Sequence, residues 1–238
     1  MVARNTRRRR ALKFAIGLIL ILLIGLGGAG WLLFQRIPAW YTPTQVAAAD
    51  LQSVRDDFGG LLTFLGDRIS KNRPFELRIT QDRLNAWLIA RRDIWPRAEE
   101  WIPPMIDEPF IAFEPDRVIL AGTAELGGIR TVVSASCRLS VDEKGLAVRL
   151  FDVRAGSLPV PDAWVGSALG KMSIGSPRRG RSGFLPPAPE EFLTGTHVPP
   201  EFLWPSPRRS VRILRIRLER GAITLWGEPL PCRDQHSR

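Results

Sequence analysis

Apolar and polar positions follow three different rhythms along this chain. From Phe14 to Phe34 the run FAIGLILILLIGLGGAGWLLF carries no charge. A helix packed on a soluble core shows polar residues every third or fourth position, and none recurs here. At 1.5 Å per residue the run reaches about 31 Å as a helix, close to the hydrocarbon thickness of a bilayer. The pattern predicts a single transmembrane helix over 14–34.

The second rhythm is helical and amphipathic. Val46, Leu51, Val54, Phe58, Leu61, Leu62, Leu65 and Ile69 recur mostly at intervals of three or four, which predicts a helix over 44–70. Thr42 suits its N-cap and Pro43 its first turn, while Pro74 disfavours a helical residue before it. Phe75 to Ile79 then alternates as a short strand. Thr80 is placed to cap a second helix, about 81–91, with Leu84, Trp87 and Leu88 on one face. Residues 93–108 read as irregular or partly helical.

The third rhythm has a period of two and runs from 109 to 155. Strands at Phe110–Phe113, Val118–Leu126, Val133–Val141 and Leu146–Ala155 are separated by Glu114-Pro115-Asp116-Arg117, Gly127-Gly128 and Asp142-Glu143-Lys144-Gly145. On the third strand Val133, Ala135, Cys137, Leu139 and Val141 alternate with Ser134, Ser136, Arg138 and Ser140. This is the pattern of an antiparallel meander with one buried face. A third helix is expected over about 161–172. Residues 173–209, rich in Pro, Gly, Ser and Arg, are expected to form a loop or disordered insertion. A final hairpin, Val211–Leu218 and Ala222–Trp226, is expected to complete the same sheet, leaving a tail at 229–238. The predicted fold class is α+β: one N-terminal transmembrane helix, then a twisted antiparallel sheet packed on a long amphipathic helix. The outer domain takes 42–172 and 210–228.

Charge fixes the expected orientation. The chain carries a formal charge of +10, with 34 basic and 24 acidic residues. Arg4, Arg7, Arg8, Arg9, Arg10 and Lys13 lie in residues 1–13, which hold no acid; the other 28 basic residues exceed the acids by only four. The basic character belongs mainly to a tail beside an apolar span, so it points to a membrane and not to nucleic acid. Positive residues stay on the cytoplasmic side. The tail is therefore expected inside and everything after about residue 37 outside, in a periplasmic or extracellular position. Trp31, Trp40 and Tyr41 suit the outer interface. A cleaved signal peptide ending near Gly27 and Ala29 is the competing reading; the apolar run continues past that site, which favours an anchor. Gly25 to Gly30 formally fits a dinucleotide-binding glycine pattern, but no strand precedes it.

Little in the sequence points to catalysis. The histidines His197 and His236 stand alone, no Cys/His cluster has metal-ligand spacing, and no nucleophile elbow occurs. No catalytic, metal or cofactor residues are assigned, and no cofactor is expected. Cys137 and Cys232 leave a disulfide open. Asn85 is the polar residue that stands out on the second helix, either as a ligand contact or as the partner of a buried backbone group. Arg215 and Arg217 share one strand face opposite Leu214, Ile216 and Leu218. They are candidates for contact with an anionic surface such as lipid headgroups.

The stretch Leu77-Arg-Ile-Thr-Gln-Asp-Arg-Leu-Asn-Ala-Trp-Leu88 and the run Val148-Arg-Leu-Phe-Asp-Val-Arg-Ala-Gly-Ser-Leu-Pro-Val-Pro161 resemble the YpmS-like family of single-span, membrane-anchored proteins of unknown function. The order of basic tail, span, helix, two motifs and terminal hairpin is also similar. The insertion at 173–209 departs from that pattern. The resemblance implies a membrane anchor and an outer domain, and brings no activity. The expected function is non-enzymatic: an extracytoplasmic domain that binds lipid or another apolar ligand, with the bilayer as its first partner. The alternative is a scaffold for other envelope proteins.

Overall fold

The computed structural model describes residues 3–94, 102, 105–126, 128–143, 145–165, 191–205 and 208–230. The uncharged run lies in one continuous helix, α1 (Ala3–Gln35). Its segment Gly17–Gln35 is long and apolar enough to cross a membrane, and the rest of the chain leaves it unburied. The chain then runs without helix to a single 3-10 turn, Ala48–Asp50, and enters α2 (Leu51–Ser70). The expected start at 44 is thus seven residues early. Tyr41 is buried at the other end of this linker. An extended chain covers about 3.3 Å per residue, more than twice the rise of a helix, so extension lets residues 42–47 bridge from that anchor to α2.

After α2 come β1 (Phe75–Thr80), α3 (Gln81–Ile89) and α4 (Arg91–Ile94). Thr80 caps α3 as expected, its hydroxyl oxygen accepting from the Arg83 N–H at 3.4 Å. The meander follows as β2 (Ile106–Glu114), β3 (Arg117–Leu126), β4 (Ile129–Asp142), β5 (Gly145–Ala155) and the short β6 (Leu158–Pro159). Residues 162–165 are helical; the remainder of the expected third helix lies outside the described residues. So does 173–190 of the expected insertion. Its later part is structured: a helical turn, Glu191–Thr194, then β7 (Thr196–Val198) and β8 (Glu201–Pro205). The terminal hairpin is β9 (Arg208–Glu219) and β10 (Ala222–Pro229).

The fold is α+β with antiparallel sheets, and there are two of them. The six-stranded sheet runs β2-β3-β4-β5-β6, with β7 also paired to β5; the four-stranded sheet runs β1-β10-β9-β8. The terminal hairpin therefore pairs with β1 and not with the meander, which corrects the single-sheet expectation. Alternation reveals that a segment is a strand but not which distant strand it joins. The two sheets pack face to face through Phe113, Val118 and Cys137 on one side and Ile223 on the other, flanked by Ile216, Leu218 and Leu225. Alongside, Leu61, Leu65 and Ile69 of α2 enter a second cluster with Phe75, Leu77, Trp87 and Val211. All three buried residues of α2 lie in its second half. Its outward face leaves Leu62 and Phe64 exposed, at 42% and 40%.

The meander is covered on both faces, against the expectation of one. Ser134 and Ser136 are 5% and 4% exposed, more buried than Val133 and Ala135 across the strand. A third cluster explains it. Tyr41, from the linker after α1, sits on Phe110, Ala112, Ile119 and Val132, and register places Ile119 opposite Ser136 and Ala121 opposite Ser134.

Candidate functional site: a polar cleft at the exit of the apolar helix

The end of α1 is built into the sheet domain that follows it. The last four carbonyls of a helix have no partner within it. Here the Thr131 hydroxyl donates to the Phe34 carbonyl at 2.6 Å, and the Ser157 N–H donates to the Leu33 carbonyl at 2.8 Å. Gly156 makes this approach possible. It sits at φ +59, and a Cβ there would collide with the Phe34 and Leu33 carbonyls. Its own N–H donates to the Val132 carbonyl at 2.7 Å, tying the seat to β4. Beyond α1, Tyr41 is T-shaped to Phe110 at 5.7 Å, and Trp40 stacks on the same ring at 6.4 Å. The Tyr41 hydroxyl donates to the Glu108 carbonyl at 2.8 Å. Tyr41 is thus a core residue and not the interfacial ring expected from sequence, whereas Trp31 and Trp40 remain exposed.

Between this linker and the meander lies a cleft of about 370 Å³. Arg36, Pro38 and Trp40 form one wall. Glu114 and Arg117, at the β2–β3 turn, form another, and the floor is Ser134, Ser136 and Ile119. Asp152 and Arg154 of β5 close it. A bulge sets these last two. Ser134 pairs with Arg154 but Ser136 pairs with Phe151, so Asp152 and Val153 face Ala135 alone. Asp152 takes φ +51. Bulges re-aim side chains, and left-handed non-glycine residues gather where structure over-determines them for a purpose.

The electrostatics of the cleft are uneven. Arg117 Nε donates to Glu114 Oε2 at 2.6 Å, and Arg154 Nε donates to Asp152 Oδ1 at 2.9 Å. The hydrogen bond to Glu114, with the charges of Glu114, Asp116 and Asp152, holds the Arg117 guanidinium above its ordinary pKa against the effect of burial. Arg36 forms no ion pair among the described residues. Three guanidinium groups against two carboxylates leave one positive charge, in a pocket floored by hydroxyl-bearing residues. That balance favours an anion over a cation in the cleft.

The residues singled out from sequence fall elsewhere. Arg215 lies over the Trp226 ring at 4.9 Å, and Arg217 pairs with Glu219 at 3.1 Å, on the exposed face of the four-stranded sheet. Asn85 is fully buried and pairs with the backbone of Ile111 in both directions, at 2.8 Å each. The Phe113 N–H donates to the Gln81 side-chain oxygen at 3.1 Å. Together these side chains close the open edge of β2 as a strand would. His197 lies 2.9 Å from Asp142 at the β4–β5 turn. Cys137 is a free thiol between the sheets, pushed up to about 11 by burial; Cys232 lies outside the described residues. Among the described residues no cluster of His, Cys, Asp and Glu is placed to hold a metal. The cleft residues were missed because each looks ordinary alone: a flanking Arg, two turn residues, two strand serines. The burial of Ser134 and Ser136 was the hidden signal.

The fold and cleft define a two-sheet α+β domain seated on the end of one apolar N-terminal helix. No family model, curated protein or solved structure matches the chain.

Proposed function

We propose that this chain is a single-pass membrane protein with a cytoplasmic basic tail, whose outer domain is a non-enzymatic binding module held against the bilayer surface, with lipid as its ligand. Kinship with the YpmS-like family belongs to the same proposal. The observation that carries it is the seat of α1: domain groups cap the Leu33 and Phe34 carbonyls. A domain hung on a free tether would leave those carbonyls to water. Binding at the surface also gives the polar cleft beside Arg36 a reason to open where headgroups lie. The scaffold reading draws on a different feature, the exposed Leu62 and Phe64 of α2, which offer a small apolar contact to another protein.

The test is orientation followed by composition. Protease added to spheroplasts, stripped of any outer membrane, digests the domain and spares the N-terminal tail, and native mass spectrometry of the full chain extracted from those cells shows adducts with lipid masses. A protected domain overturns the topology. An adduct-free chain that crosslinks to one envelope protein favours the scaffold.

A further inference from the structure

The Asp57–Arg83–Trp87 group joins α2 to α3 and is satisfied internally. The edge of β8 is short and ends in Pro205. The cleft at the helix exit carries more. Its lining sets three guanidinium groups, two carboxylates and hydroxyl-bearing residues beside Pro38, Trp40 and Ile119, so hydrocarbon would gain little there and would strip water from charges. Its size lies within the range of small-molecule sites. Arg36 follows directly on the span, where a phospholipid phosphate sits at the same depth. Guanidinium groups are the side chains best shaped for phosphate oxygens.

We propose that this cleft binds a phosphate-ester oxyanion, supplied by the headgroup of an anionic phospholipid in the leaflet at the Gln35 end of α1. Arg36 and Arg154 reach the phosphate from opposite walls, and Ser134 and Ser136 donate from the floor. Arg117 stays paired to Glu114 and supplies field more than contact. The bulge at Asp152 and Val153 holds Arg154 at the mouth, and its partner Asp152 keeps that guanidinium from swinging out. This deepens the lipid reading above and rests on the domain lying at the bilayer surface.

The experiment uses the full chain in nanodiscs of phosphatidylcholine alone or mixed with phosphatidylglycerol, with retained lipid counted by native mass spectrometry after release. Wild type should keep phosphatidylglycerol in preference to phosphatidylcholine. Arg36→Glu should weaken that retention more than tenfold, since it removes a charge-assisted contact and sets a carboxylate against the phosphate. Arg55→Glu, an equal charge change on the exposed surface of α2, should leave it unchanged. Arg36 has no ion pair among the described residues, so its replacement does not threaten the fold. A parallel titration of the detergent-solubilised chain with inorganic phosphate and glycerol 3-phosphate separates the sources. If these bind in an Arg36-dependent manner and displace phosphatidylglycerol, the site stands and the lipid source is overturned. Equal retention of both lipids by wild type, or equal loss in Arg36→Glu and Arg55→Glu, overturns the site itself. A domain that fails to sit at the bilayer is a different failure, seen as an absence of headgroup quenching at Trp40 whatever the lipid.

Discussion

Three side chains show how individual residues are used here. Asn85 is spent on backbone, accepting from the Ile111 N–H and donating to its carbonyl. Asn85→Ala strands both groups in a buried place, at about 1–3 kcal/mol for each. A matching drop in the urea midpoint of the full chain, with α1 still inserted, is the expected result. Tyr41 and Cys137 are buried in their neutral forms. Burial, and then the Glu108 charge, push Tyr41 from 10.0 up to about 12, and burial pushes Cys137 from 9.0 up to about 11. The folded chain therefore holds these protons more tightly than the unfolded one. Their contribution is complete below the unfolded values and is lost as pH rises through the folded ones. Stability should fall between pH 9 and pH 12, and Tyr41→Phe should flatten the upper part of that fall. Denaturant midpoints measured across the range check both statements. Sequence left the role of Asn85 open because an amide on a helix looks the same whether it meets a ligand or a strand edge.

Among the elements, the seat of α1 depends on one glycine and the clasp of α2 on one carboxylate. Gly156→Ala places a methyl group against the Phe34 and Leu33 carbonyls, in a backbone conformation that only glycine adopts freely. The expected outcome is a folded domain detached from the helix end, seen as faster amide exchange at Ser157, whose N–H donates to Leu33, with the sheet core still protected. Asp57 accepts from Arg83 Nε at 2.6 Å and from the Trp87 indole at 3.1 Å. Asp57→Ala should cost about 1–2 kcal/mol, since the indole donor loses its partner, and Asp57→Asn should cost less because an acceptor remains. The elements themselves were largely legible. The period-two runs at 118–126 and 133–141 give β3 and β4, and Thr80 starts α3 where its side chain caps it. The start of α2 was not, because Tyr41, far away in contact terms, decides how the preceding linker runs. Nor were β7 and β8, whose few apolar residues lie among prolines and show no long alternation.

For the whole molecule, the apolar span and the mixed α+β class followed from pattern alone, because burial in lipid and burial in a core leave different periodicities. The two-sheet arrangement did not. It requires β1 to meet β10 across more than half the chain, and local alternation carries no record of that pairing. The cleft was hidden for the same reason, since Arg36, Arg117, Ser136 and Arg154 come together only when α1 is seated on β4. On the proposed topology, the domain is fixed to the helix end and lies on the bilayer. Tryptophan fluorescence of the full chain in vesicles tests this most directly, with quencher-labelled lipids and Trp40→Phe as the reference. If the domain is seated, headgroup-labelled lipid quenches wild type more than Trp40→Phe, and Gly156→Ala loses much of that difference. Quenching identical in all three chains would mean that the domain hangs free of the membrane and that the helix seat does not hold it there.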